Sequence, residues 1–335
     1  MGKTFTASTS AGRVVNSSRV NPDEIFVEKF GSRWTSYRER WTKASEKGEI
    51  EPFPLFVRLE AQFKCNSNCA LCVHGHEELK SEIAYDDYMH FDSFKRLVDE
   101  CVNNNCPSIG LSFINEPLMD PDFLDRLNYV TEAGIMDVHL NSNAMLLTPD
   151  FVESILDSGV TRVCFSIDAS TKETFMKMRP NLDYDVVVAN IKNFIATRNA
   201  RGQQLPLVRV SFLLNDINNH ELDDFKETWI EDADYVSVQR YVPISINPKD
   251  DLYHAIDKAP VAGKQNCSYP WESLFVHGDS VVVPCAAHRS RFISVGNVKE
   301  NTLYDIWHST AMQDLREALR TGNLANTRLC SSCII

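Results

Sequence analysis

No run of about 18 apolar residues occurs in the 335-residue chain, so no segment has the composition of a membrane-spanning helix. Met1 to Asn21 lacks the apolar core of a secretory signal, and the expectation is a cytoplasmic protein without a membrane partner. Basic charge is in deficit too. The 34 Lys and Arg against 46 Asp and Glu give a formal net charge of −12, which argues against nucleic-acid binding through general attraction to phosphates. Cysteine is present in quantity. Without a secretion signal, ten cysteines read as reduced thiols and metal ligands rather than disulfides; all but Cys101, Cys106 and Cys164 fall into groups. With 43% apolar residues, the chain can bury a full core and leave room for a second, smaller unit.

The stretch Phe63-Lys64-Cys65-Asn66-Ser67-Asn68-Cys69-Ala70-Leu71-Cys72 follows an apolar, strand-like run from Leu55 to Leu59. Its Cys-x3-Cys-x2-Cys spacing places three thiols on one short loop. A cubane iron–sulfur cluster offers four iron corners to thiolates, so three ligands leave one iron open to something other than protein. A structural zinc site with His74 or His76 as fourth ligand is the other reading. Zinc ligands come as Cys-x2-4-Cys pairs across a longer gap, a pattern this compact triplet fits poorly.

Residues 1–52 precede this chemistry. Met1 to Val20 is rich in Ser, Thr and Gly without periodicity and reads as a mobile segment. From Pro22 the pattern is helical, with Phe26, Phe30, Trp34, Tyr37 and Trp41 at spacings of three and four, interrupted at Gly31; this stripe reads as packing against the main domain. Residues 53–245 alternate strand and helix. The strand candidates are Leu55–Glu60, Ser108–Ile114, Asp137–Asn141, Arg162–Asp168, Leu207–Leu214 and Tyr235–Tyr241, each short and rich in β-branched or aromatic residues. Between them, Phe91, Phe94, Leu97, Val98 and Cys101 form one helix face and Val187, Ile191, Phe194 and Ile195 another. Such alternation implies parallel strands with right-handed crossovers, and the six units suit an open, three-quarter β/α barrel. Chemistry in such barrels sits at the carboxyl ends of the strands, where the cysteine loop falls.

Residues 246–335 hold a second cysteine set. Cys267 and Cys285 flank a hairpin-like stretch, Trp271 to Pro284, with turn residues at His277-Gly278-Asp279-Ser280. A helical run from about Leu303 to Leu319 precedes Cys330-Ser331-Ser332-Cys333. Four cysteines close one cluster completely, or make a structural zinc site.

Cys65, Cys69 and Cys72 resemble the signature loop of the radical S-adenosylmethionine (SAM) enzymes, although Leu71 stands where that superfamily more often has an aromatic residue. The resemblance implies that the open iron chelates the amino and carboxylate groups of SAM, and that reduction splits SAM to a 5′-deoxyadenosyl radical. It also implies the α/β fold class, as a partial (β/α)6 radical SAM barrel followed by a small C-terminal auxiliary-cluster domain. The later cysteines, Cys267, Cys285, Cys330 and Cys333, resemble the short twitch form of that SPASM domain and imply a second [4Fe-4S] cluster; Ser280 stands where relatives usually have glycine. For SAM itself, Asn115-Glu116-Pro117 occupies the place of a Gly-Gly-Glu-Pro turn, Asn141-Ser142-Asn143 resembles Thr-Asn-Gly, and Ser166-Ile167-Asp168 resembles Ser-Ile-Asp-Gly. Asn115, Glu116, Asn143 and Ser166 are thus candidate SAM contacts. Arg179 and Arg209 are candidate partners of its carboxylate, which a planar guanidinium fits in a bidentate way.

The expected function is that of a radical SAM oxidoreductase acting on a small sugar or aminocyclitol, oxidising a carbinol to a ketone as the resemblance to twitch-type aminocyclitol dehydrogenases implies. A flavodoxin or ferredoxin is the expected reductant. Three alternatives stay open: a sugar epimerase, a peptide-modifying maturase, and a zinc-stapled binding protein. Against a maturase stands a leading segment too short for a separate peptide-recognition domain.

Overall fold

The computed structural model describes residues 14–240, 267–287, 290–324 and 327–332. Among them ten strands form one sheet. These are β1 (Val14–Ser18), β2 (Phe56–Leu59), β3 (Ser108–Gly110), β4 (Asp137–Ser142), β5 (Arg162–Ser166), β6 (Leu207–Leu214), β7 (Tyr235–Arg240), β8 (Ser273–Val276), β9 (Val281–Val283) and β10 (Gly296–Asn297). Their order is β1-β7-β6-β5-β4-β3-β2-β8-β9-β10. β2 to β7 run parallel in sequence order, which is the expected partial barrel, and the sheet stays unclosed.

Side-chain alternation explains the curvature. Val57, Ile109, Val138, Leu140, Val163, Phe165, Val208 and Val210 are buried in the main core under the helices. The alternate positions, Arg58, His139, Asn141, Cys164, Ser166, Arg209 and Ser211, project to the other face and line the barrel lumen. The covering helices α4 (Phe91–Asn103) and α8 (Tyr184–Ala200) bury the expected faces, Phe94, Leu97, Val98 and Cys101 on the first and Val187, Ile191, Phe194 and Ile195 on the second. Each such side chain contributes about 1.5–3 kcal/mol.

Strand ends differ from the expected ones for local reasons. Ser108–Ile114 shortens to β3 because the Ile114 and Asn115 N–H groups turn to the Glu60 carboxylate, at 2.6 and 2.9 Å, instead of to the ladder. Arg162–Asp168 stops at Ser166 because Asp168 adopts φ 65°. Tyr241 lies outside the described residues.

The leading residues are only in part what the sequence implies. Val14–Ser18, inside the stretch expected to be mobile, pairs antiparallel with β7 from Tyr235 to Gln239. An edge strand offers unpaired N–H and C=O groups to any backbone, so this pairing needs no apolar alternation and leaves none to read. The helices α1 (Pro22–Phe30) and α2 (Ser32–Lys47) carry the aromatic stripe. Phe26, Trp34 and Tyr37 are buried in one cluster with Leu55, Met136, Leu207 and Tyr235, which stand at or just before the amino ends of β2, β4, β6 and β7. The stripe therefore forms the floor of the barrel. Arg162 reinforces it from within, its guanidinium carbon 4.5 Å from the Phe26 ring centre and 5.1 Å from that of Trp34.

At the other edge, β8 runs parallel to β2 and turns into β9, with β10 beyond. The expected hairpin turn is present at His277–Ser280. Its φ of 78° puts Ser280 in the left-handed region that glycine favours. Gly278 is needed for another reason, since a Cβ there would lie 2.5 Å from the Ala61 carbonyl oxygen. Helices α11 (Leu303–Trp307) and α12 (Thr310–Thr321) then pack back toward the floor.

Candidate functional site

The cysteine loop leaves β2 and is fixed by backbone contacts before any side-chain chemistry begins. Ala70 N–H donates to Met178 O at 2.9 Å, and Cys72 N–H to Cys69 O at 3.0 Å. Gly75 closes the loop, for a Cβ at that position would sit 2.3 Å from the Cys69 carbonyl oxygen. Cys65, Cys69 and Cys72 are all part-exposed. Burial, and secondarily the neighbouring Cys69, pushes Cys65 up to about 12 and Cys72 higher. Ser67 Oγ lies 3.1 Å from Cys69 Sγ, and Arg179 Nη1 donates to the same sulfur at 3.6 Å.

The histidines point elsewhere. His74 Nε2 faces the Ile114 carbonyl at 3.2 Å and its ring lies on Phe63; His76 Nε2 faces the Ala70 carbonyl at 2.7 Å. Among the described residues no three His, Cys, Asp or Glu side chains are gathered to hold a single metal ion. A cubane asks for a different arrangement, one thiolate to each iron corner, and the donor set of three cysteines backed by an arginine fits it.

The loops after β3, β4 and β5 converge on this loop. Glu116 N–H donates to Lys64 O at 2.9 Å, and Asn143 Nδ2 to Asn66 Oδ1 at 2.7 Å. The Glu116 carboxylate, buried, accepts from Ser142 Oγ and Asn143 N–H at 2.8 Å each and from Leu118 N–H at 3.2 Å. Burial raises its pKa. Three donors leave about one of its four acceptor positions open. Asn115 Oδ1 is occupied by Phe113 N–H at 3.0 Å. Ser166 ends β5 beside Ser211 of β6. Arg179 Nη2 pairs with Asp168 at 2.5 Å, while its Nε is buried without a partner. Burial opposes the charge of Arg179, but Asp168 and Cys69 hold its pKa above the ordinary arginine value. Arg209 lies deeper: its Nε donates to Cys164 Sγ at 2.9 Å, two residues down the strand from Ser166.

The structure thus brings Glu116, Asn143 and Arg179 against the cysteine loop, with Asn115 beside Glu116 in the same turn, Ser166 at the carboxyl end of β5 and Arg209 one layer below it. Sequence reasoning missed Glu60, Arg58, Asn66 and Asp168. Of these, Asp168 carried a signal, since it lies in the Ser-Ile-Asp segment; the others follow only from the fold.

The second cysteine set is partly described. Cys267 and Cys285 both act on Tyr269, and Cys267 and Cys330 pack in the same cluster as Trp271 and Leu315; Cys333 lies outside the described residues. A cleft of about 470 Å³ lined by Arg33, Tyr37, Cys106 and Pro107 opens at the floor end of the strands, the end opposite the loop of Cys65, Cys69 and Cys72. No helix of the described residues is long and apolar enough to cross a membrane.

Comparison with known proteins agrees with this geometry. The family model of the radical SAM superfamily matches residues 59–228, just over half of the chain, and that of the SPASM iron-sulfur cluster-binding domain matches 267–334. The chain is 22% identical over 295 residues to the tungsten-containing aldehyde ferredoxin oxidoreductase cofactor-modifying protein of Pyrococcus furiosus, covering 76% of this chain and 81% of that one. It is 34% identical over 128 residues to the AdoMet-dependent heme synthase of Methanosarcina barkeri, covering 38% of this chain and 34% of that protein, so it spans only about a third of that relative. In fold it is similar to BtrN solved with AdoMet and 2-DOIA, at TM-score 0.52 and 16% identity, covering 85% of this chain and 94% of that one. It is also similar to SuiB of Streptococcus suis bound to precursor peptide SuiA, at TM-score 0.62 and 14% identity, covering 90% and 73%. The chain belongs to the radical SAM superfamily, carries a SPASM iron-sulfur domain, and is an enzyme whose cofactors are SAM and [4Fe-4S] clusters.

Proposed function

We propose that this enzyme removes a hydrogen atom from a carbinol carbon of a small, carbohydrate-like substrate and oxidises it to a ketone. Cys65, Cys69 and Cys72 are the ligands of the SAM-cleaving cluster in this reading, and Cys267, Cys285, Cys330 and Cys333 those of the auxiliary one. When bound, the first supplies the electron that splits SAM, and the second, with all four irons on thiolates, an acceptor for the electron left on the substrate. The balance is that of a two-electron oxidation. The C–H hydrogen leaves in 5′-deoxyadenosine, the O–H proton goes to solvent, and the remaining electron leaves with the formation of the C=O bond.

The chain's own residues bind and orient. Glu116 keeps one acceptor position for an N–H of the SAM amino group, Asn143 and Ser166 offer short polar groups to the ribose, and Arg179 meets the SAM carboxylate while holding Cys69. Asn115 shapes the turn between them. Arg209 faces the substrate space. The reading divides the chain into a leading segment to residue 52, a core over 53–245 and an auxiliary domain over 246–335, and takes a flavodoxin or ferredoxin as reductant.

The observation that carries a small polar substrate is the lumen itself, lined by Arg58, His139, Asn141, Cys164 and Arg209 and floored by aromatic rings. A second reading has its own support. Cys164, one of the three cysteines outside the two groups, lies on the lumen face one alternate position below Ser166, where a thiol can return a hydrogen atom to a substrate radical and leave an epimer.

Product analysis in deuterated water separates the two. Oxidation gives a product two mass units lighter with no solvent deuterium at the attacked carbon. Epimerisation conserves mass apart from one deuterium there, and losing that deuterium in Cys164→Ala would replace the first reading with the second.

A further inference from the structure

The strands β2 and β6 are separated by three others in the sheet, yet strand alternation sends Arg58 and Arg209 to the same lumen face, where the charge of Arg209 opposes that of Arg58. Their surroundings differ from those of four other interior arginines, although buried Arg316 likewise has carbonyls, those of Pro270 and Trp307, rather than a carboxylate. Arg126, Arg162, Arg179 and Arg198 each hold an aspartate: Asp120 at 2.9 Å, Asp137 at 3.0 Å, Asp168 at 2.5 Å and Asp234. Among the described residues Arg58 has no hydrogen-bond or ion-pair partner, its buried Nε included. It lies over the rings of Phe56 and Phe275, 5.2 and 5.7 Å from their centres. Arg209 has the Cys164 sulfur and, among the described residues, no carboxylate.

The chain makes room for this arrangement. Gly110, opposite Arg58 on β3, has no side chain, and a Cβ there would sit 2.9 Å from Phe56 and 3.2 Å from Arg58 Nε. Burial lowers the Arg58 pKa to about 10, with the repulsion of Arg209 adding to it against Tyr269, Cys164 and Glu60. Two buried cations on one face, with no carboxylate hydrogen-bonded to either among the described residues, are incompletely compensated, because a charge removed from water needs a partner to offset its lost hydration. An entering anion supplies that partner.

We propose that Arg58 and Arg209 form an anion site in the barrel lumen, one layer below the SAM pocket, and that the substrate carries a carboxylate or phosphate group which this pair grips. The planar guanidinium forks match either group in bidentate fashion. Placed below Ser166, the anion anchors the far end of the substrate and leaves its reactive carbon toward the strand ends. This inference rests on the reading of the lumen as the substrate space, and extends it to the substrate's charge.

The test uses the full, cluster-loaded chain under anaerobic conditions without SAM. Inorganic phosphate and acetate are titrated calorimetrically at constant ionic strength into wild type, Arg58→Met and Arg209→Met. Saturable binding to wild type, weakened about tenfold or more in each variant, supports the site, since a hydrogen bond to a charged group contributes about 1.5–3 kcal/mol. The stronger of the two probes then sorts phosphorylated from carboxylated substrates. A second readout guards against misfolding. Met keeps the apolar stem and removes the unpaired charge, so in chloride Arg58→Met melts at or above the wild-type temperature, and phosphate raises the melting temperature of wild type alone. No saturable binding in wild type, equal binding in the variants, or a marked loss of stability in Arg58→Met overturns the proposal. Failure of the oxidation reading appears elsewhere, in the products made from SAM-dependent turnover, and leaves this binding result untouched.

Discussion

Glu60 and His277 meet at 2.7 Å with both side chains fully buried, although 217 residues separate them in the chain. Glu60 stands at the carboxyl end of β2, immediately before the cysteine loop, and His277 is the first turn residue of the C-terminal hairpin. The same carboxylate accepts from Tyr85 Oη at 2.7 Å and from the Ile114 and Asn115 N–H groups at 2.6 and 2.9 Å. One side chain thereby ties the Ile114-Asn115 turn to the hairpin of the domain that carries the second cysteine set.

Removing that carboxylate leaves several buried donors unanswered. Glu60→Ala is expected to destabilise the fold by about 3–5 kcal/mol, the range for breaking one partner of a buried charged pair. Urea denaturation of Glu60→Ala, His277→Ala and the double variant checks this, and the double variant should lose clearly less than the sum of the singles. Strict additivity would show that the two residues do not act together.

The triple variant Cys65→Ala, Cys69→Ala, Cys72→Ala is expected to lose about half of the bound iron, on the basis of two four-iron clusters. 5′-Deoxyadenosine formation after dithionite reduction should vanish while the spectrum of the auxiliary cluster persists. Cleavage at the wild-type rate in this variant would reject the loop as the SAM site.

Glu272, buried between α2 and β8 with Oε1 lacking a partner, is pushed by burial up to about 7 from 4.5. The folded form holds its proton more tightly than the unfolded chain. Its contribution to stability is therefore full below about pH 4.5 and disappears as pH rises through about 7. Glu272→Gln keeps the shape without the charge. Melting curves from pH 5 to 8 should be flatter in this variant and lie above wild type at pH 8, by up to about 3 kcal/mol for a shift of this size. Parallel curves would show that the carboxyl does not titrate in this range.

Ser280 holds a left-handed backbone at φ 78°. Ser280→Gly relieves it and should raise stability by about 1 kcal/mol. Gly278→Ala, two residues earlier, should do the reverse by forcing the turn away from Ala61. Thermal denaturation of the pair reads both signs.

Much of this was legible because it follows from short-range rules. The six core strands and the faces of α4 and α8 announce themselves through alternation and helical spacing, and the cysteine loop through its compact triplet. Residues that matter through the closure of the barrel were not legible. Arg58 and Cys164 read as ordinary strand positions, and Arg209 as a partner of the SAM carboxylate, until the sheet curls and sets them on one lumen face. Glu60 and His277 likewise gain their meaning from a contact no local pattern encodes. The strand Val14–Ser18 escaped for a different reason, since it is held through its backbone against β7, and backbone pairing leaves no trace in side-chain type.

Among the described residues the aromatic floor of Phe26, Trp34 and Tyr37 shuts the barrel at the amino ends of its strands. In the proposed reading SAM sits across the carboxyl ends, so a substrate held above the floor must arrive before the nucleoside settles and must wait for it to leave. We expect compulsory order: substrate first, SAM second, and product last out. Pre-steady-state sampling should then show a burst of about one product per chain followed by a slower phase set by departure, and a linear time course from the first turnover would mean that the way out is not shared.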